Sequence, residues 1–138
     1  MSSALRCAFA VAVALTLGTA PLAADPATDY LLHCRGCHGP AGGGTPPDVP
    51  DLRGAIGQFT STPAGREYLI RVPGVSQAEL SDARIATLLT WLVQYYDAAN
   101  IPAGFEPFSA AEVRKHRRPP LSDPAATRAA LLRAAAGD

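Results

Sequence analysis

The chain has 138 residues, with 12 Lys and Arg against 12 Asp and Glu, so it carries no formal net charge. That balance excludes the basic footprint of a general nucleic-acid binder. The length allows one small domain and a tail.

The first 24 residues, "MSSALRCAFAVAVALTLGTAPLAA", read as a secretory signal. Arg6 precedes an apolar run from Ala8 to Leu17, small residues follow, and cleavage is expected after Ala24. An uncleaved anchor would need ~20 apolar residues, and this run is shorter. No later segment is apolar enough to span a bilayer, so the expectation is an exported, periplasmic chain with no stable membrane span. Cleavage removes Met1, Arg6 and Cys7. Cys34 and Cys37 then remain as the only cysteines, no methionine is left, and acidic residues outnumber basic ones by one. The remaining chain of about 114 residues buries a modest core and gains from a staple, a metal or a large cofactor.

Asp25-Pro26 opens a first helix, with Asp25 as N-cap and Pro26 at its first position. Tyr30, Leu31 and Cys34 follow at helical spacing, and Gly36 is expected to end it. "GPAGGGTPPDVP", residues 39–50, is loop by its glycine and proline content. It reads either as a flexible linker or as an ordered loop around a flat ligand, and its place between the cysteines and "DLRG" favours the second. Thr62-Pro63 starts a second helix through about Arg71, with Tyr68, Leu69 and Val72 on one face, stopped by Val72-Pro73-Gly74. Ser81 or Asp82 caps the clearest helix, in which Ile85, Leu88, Leu89, Leu92 and Val93 form an apolar stripe with Trp91 beside it. It is predicted to run to Tyr96 or Asp97. An irregular stretch, "AANIPAGFEPF", separates a core of residues 25–98 from an extension, 99–138. The extension carries two helix signals: a capping box at Ser109-Ala-Ala-Glu112, and Asp123-Pro124 before an Ala/Leu-rich run ending near Ala136. No alternating strand pattern and no repeat is present. The predicted fold class is all-α.

Cys34-Arg35-Gly36-Cys37-His38 is the motif with chemical content. Two thiols at this spacing can add to the vinyl groups of one haem, and the adjacent histidine can reach its iron. A zinc site would want a second such pair, and a thioredoxin-like redox pair would want a βαβ context. A structural disulfide suits an exported chain but leaves His38 and the glycine-rich loop without a purpose. Haem attachment is the reading that uses every residue.

Residues 26–96, through "CRGCHG", "PPDVPDLRG" and "LSDARIATLLTWL", resemble a small class I cytochrome c of the bacterial periplasm. The resemblance implies three core helices around one haem c, held by thioethers from Cys34 and Cys37, with His38 as proximal iron ligand. It also implies a loop proline whose carbonyl accepts a hydrogen bond from that histidine, which raises its basicity. Pro50 stands twelve residues after His38, and Pro46 or Pro47 are alternatives. Trp91 matches an aromatic laid against the haem edge; ordinary core packing is the other reading, and both bury it.

Most of this family binds the second face of the iron with a methionine shortly before the last helix. Here that stretch is "RVPGVSQAELSD", and residues 25–138 contain no methionine. The alternatives are a vacant or water-bound site lined by Leu69, Val72 or Val75, a second imidazole from His116, a weak donor such as Tyr68 or Gln77, or a ligand from a partner. His33, directly before Cys34, reads as an exposed helix residue. Without a thioether ligand the potential should fall, and an open site would admit CO, NO, cyanide or peroxide. No distal acid–base residue of the kind a peroxidase needs is evident. Arg114, Lys115, Arg117 and Arg118 form a basic cluster, either a solvated helix face or a patch that steers an acidic partner or touches anionic lipid. The function expected is single-electron transfer between periplasmic redox proteins. The alternatives are a gas- or peroxide-binding haem protein and a haem subunit of a dehydrogenase or oxidase complex.

Overall fold

Short polar side chains start the principal helices. The computed structural model describes residues 25–137, so the segment read as a secretory signal lies outside the described residues. Asp25 accepts from the amides of Ala27 and Thr28 and opens α1, Pro26–His33. Thr62 accepts from Gly65 and opens α3, Pro63–Arg71. Ser81 accepts from Arg84 and opens α5, Asp82–Asp97. Ser109 accepts from Glu112 and opens α6, Ala110–His116. Asp123 accepts from Ala126 and opens α7, Pro124–Ala136. Each cap satisfies an amide that the first turn leaves without a helical partner.

Two helical turns lie between these. The motif forms its own turn, α2, Arg35–His38, and Pro73–Ser76 forms α4. Gly57–Ser61 and Ala98–Asn100 are 3₁₀ segments. No strand occurs among the described residues, and none of their helices is long and apolar enough to cross a membrane. The all-α expectation holds.

One core runs through the whole described chain. Ile85, Leu88, Leu89, Leu92 and Val93, the stripe read from the sequence, are all buried, together with Tyr30, Tyr68, Leu69 and Ile70. Phe108 and Val113 of the extension are buried in the same cluster. The extension therefore packs as part of the core instead of trailing from it. Asp29, 1% exposed, pairs with Arg84 and ties α1 to α5.

Three local expectations are corrected. Gly36 lies inside α2, and Gly39, at φ 71, ends the motif turn instead. The capping box is only half made, because Glu112 turns its carboxylate to Arg66, with both N–O distances 2.7 Å. The basic cluster is divided: Arg117 is 15% exposed and points inward, while Arg114, 3.5 Å from Asp82, and Lys115 and Arg118 stay exposed. Trp91 is half-buried, and Tyr95, one turn on, stacks on it at 4.7 Å between ring centres.

Candidate functional site

α1 delivers the motif. Asp25 and Pro26 start the helix two turns before Cys34, and the Cys34 amide closes it by donating to Tyr30 O at 2.9 Å. The amides of Cys37 and His38 both donate back to Cys34 O, at 3.2 and 3.0 Å, which winds the two cysteines and the histidine into a single turn. Both thiols are free; Cys34 is half-buried and Cys37 exposed. Burial, then the Asp29 and Cys37 charges, push the Cys34 thiol up to about 11.

The glycine- and proline-rich segment is an ordered loop stitched back onto the motif. Gly44 N donates to His38 O at 2.9 Å, Leu52 N to Gly42 O at 2.8 Å, and Thr45 and Val49 exchange two bonds of 2.9 and 3.0 Å. Tyr30 and Tyr96 donate their hydroxyls to Gly39 O and Pro40 O. The loop brings the Pro50 carbonyl 3.2 Å from His38 Nδ1, which donates to it. Pro46 and Pro47 are exposed. Burial lowers the tendency of His38 to protonate, opposed by the Pro50 carbonyl and the Asp51 carboxylate. Asp51 is held down at about 2, chiefly by its hydrogen bonds from Arg53. With Nδ1 engaged, Nε2 is the nitrogen that His38 offers to a metal.

The other residues singled out from the sequence are dispersed. Trp91 packs against Tyr30 of α1 at 5.9 Å between ring centres. Leu69 and Tyr68 are buried, and Tyr68 stacks obliquely on Phe59 at 5.0 Å. Val72 and Val75 are half-buried, while Gln77 and His33 are exposed. His116 is not brought to the motif turn by any hydrogen bond; its Nδ1 lies 3.3 Å from Glu67 on α3. Among the described residues, no three His, Cys, Asp or Glu side chains gather to hold a metal ion, so a four-ligand zinc site is not assembled there.

No protein-family model matches the chain. A cytochrome c-552 from Thermus thermophilus is 33% identical over 126 residues, covering 78% of this chain and 85% of its own. A second Thermus thermophilus cytochrome c-552 is 35% identical over 117 residues, covering 72% and 88%. At that similarity the chain belongs to the class I c-type cytochromes.

The residues present suit the group this family carries. Two unbonded thiols and a histidine with a free Nε2 share one turn, as thioether attachment and axial ligation require. Cys34, Leu52, Val72, Val75, Ala78 and Trp91 are among the partly buried apolar side chains packed on the core.

Three features escaped the sequence reading: the inward guanidinium of Arg117, the Asp29–Arg84 pair, and the dependence of the Pro50 carbonyl on Gly44. Only the last had a local signal, the run Gly42-Gly43-Gly44 six residues before Pro50.

Proposed function

We propose that this chain is an exported, periplasmic electron carrier with one haem c, joined through Cys34 and Cys37. His38 is the proximal ligand, and the Pro50 carbonyl fixes its ring. Bound there, the haem iron supplies a one-electron couple, and the protein contributes attachment, orientation and access. The observation that carries the reading is the placing of both thiols and a carbonyl-pinned imidazole on one turn. Pro50 holds the proton on Nδ1 and keeps Nε2 free, and the hydrogen bond makes His38 the stronger donor.

On the opposite side the engagement of His116 with Glu67 favours a vacant or water-bound site over a second imidazole. That favours a low potential, and it keeps a small-ligand binder as a second reading. Leu31 and Leu32, 52% and 71% exposed, directly precede the motif and suit an approaching redox partner, including a dehydrogenase or oxidase subunit.

Spectroelectrochemistry of natively matured protein tests the proposal. One reversible one-electron couple with a c-type reduced spectrum is expected. A protein without a redox-active chromophore refutes it, and a low-spin bis-imidazole signature refutes the vacant site. Tight CO binding with no electron exchange would favour the small-ligand reading.

A further inference from the structure

Between α3 and α5 the chain crosses from Val72 to Ser81 with only the single turn α4 as regular structure. The backbone after α4 needs partners for its carbonyls, and they come from forty residues away. Arg117, just past the end of α6, spends its guanidinium on this crossing. Nε donates to Ser76 O at 2.9 Å, Nη1 to Leu80 O at 2.9 Å and to Asp82 Oδ1 at 3.1 Å, and Nη2 to Ala78 O. One planar fork thus holds three carbonyls of this segment and the Asp82 carboxylate at the start of α5.

The composition of that segment gives this clamp its meaning. Residues 72–81, "VPGVSQAELS", contain no methionine, histidine or cysteine, so none of its side chains is a strong iron ligand. Its apolar members Val72, Val75 and Ala78 pack on the core while staying partly exposed. They stand outside the motif and its loop, which supply Cys34, Leu52 and His38. In the family this chain resembles, the stretch before the last helix faces the iron opposite the proximal histidine, so with the haem held as proposed above Val72, Val75 and Ala78 would line that side. A wall with no bond to the metal must be anchored elsewhere, and Arg117 is the anchor that the fold provides.

We infer that Arg117 is a positioning residue that holds the 72–81 segment over the distal face of the haem, in place of an iron–side chain bond, and so sets how readily exogenous ligands reach the iron. The inference rests on the haem assignment.

The test compares natively matured wild type, Arg117→Gln, Arg117→Lys and Arg66→Gln. Arg66→Gln breaks another anchor of the extension, at Glu112, without touching residues 72–81. Covalent haem content is measured first by the pyridine haemochrome. The rate of CO binding to the ferrous form is then followed after flash photolysis, beside thermal unfolding. Hydrogen bonds from a charged group are strong enough that Arg117→Gln should raise the CO rate on the order of tenfold or more. Arg117→Lys, which keeps the charge but cannot span four acceptors, should fall between. Arg66→Gln should lower the melting temperature yet leave the CO rate within about twofold. Equal CO rates in wild type and both Arg117 variants, with haem attached, would overturn the inference while leaving the haem assignment standing. So would an equal rise in Arg66→Gln, which would mark the effect as general loosening. Wild-type protein without covalent haem would overturn both. If Arg117→Gln does not fold, Arg117→Lys carries the same comparison.

Discussion

Gly44→Ala is the substitution that most directly connects the loop to the iron ligand. Gly44 sits at φ 65, and a Cβ built there would lie 2.3 Å from Val49 O and 2.6 Å from Pro50 O. Both are backbone atoms and cannot swing aside as a side chain would. The Pro50 carbonyl must retreat by roughly half an ångström or more to reach ordinary van der Waals separation. It is also the acceptor for His38 Nδ1, already at 3.2 Å, so that retreat takes the bond beyond useful length. The left-handed backbone adds about 1–2 kcal/mol for a residue with a Cβ, and the displaced loop a similar amount.

Two readouts follow. Stability should fall by about 2–4 kcal/mol, measured by denaturant unfolding of the matured protein. The potential should rise, because an imidazole that no longer donates from Nδ1 is a weaker base and stabilises ferric iron less. A hydrogen bond of about 0.5–1.5 kcal/mol net corresponds to about 20–65 mV for one electron. Gly43→Ala is the matched control: its Cβ would meet only the Arg53 guanidinium, Nη2 at 2.9 Å and Cζ at 3.5 Å, the movable end of a long side chain. If Gly44→Ala leaves the potential within a few millivolts of wild type while Gly43→Ala behaves the same way, the loop does not act on His38 as argued.

Other outcomes follow from buried or paired groups. Arg84→Ala strands the Asp29 carboxylate, 2% exposed at its side chain, and should cost about 2–3 kcal/mol in urea unfolding, toward the low end for a buried pair because Arg84 is itself 42% exposed; Asp29→Asn added to it should recover part of the loss. Arg66 holds the Glu112 carboxyl below its ordinary range against the opposing effect of partial burial. The stability from this pair is therefore complete above the unfolded carboxyl value and lost as pH falls through the folded one, so acid unfolding of Glu112→Gln should show a shallower loss below about pH 4.5 than wild type. Ser76 Oγ is buried and has no hydrogen-bond partner; Ser76→Ala should leave stability unchanged or raise it by up to about 1 kcal/mol, and a clear drop in melting temperature would show that the hydroxyl is satisfied.

What the sequence made legible was decided within four residues of chain. Asp25-Pro26, Thr62-Pro63, Ser81, Ser109 and Asp123-Pro124 each place a short acceptor or a fixed φ at a helix start, and each helix begins there. The α5 stripe was equally readable, since one buried face imposes its own period. Gly36 misled because a glycine with nothing near its absent Cβ fits a helical turn as well as it ends one, and the stop fell to Gly39. Arg117 read as a member of a surface cluster and Arg84 did not stand out, because their acceptors lie 35 to 41 and 55 residues away. Spacing along the chain carries no information about such partners. The same holds for His116, whose ring was free to be a ligand in sequence and meets Glu67 in the fold.

Covalent attachment of haem at the motif turn is tested most directly by intact-mass and peptide mass spectrometry of protein purified from cells able to mature c-type cytochromes. The expected product is a polypeptide beginning after Ala24 that carries one haem, with the added mass confined to a peptide containing Cys34 and Cys37. A polypeptide of unmodified mass, or one whose two sulfurs are joined to each other, would contradict it.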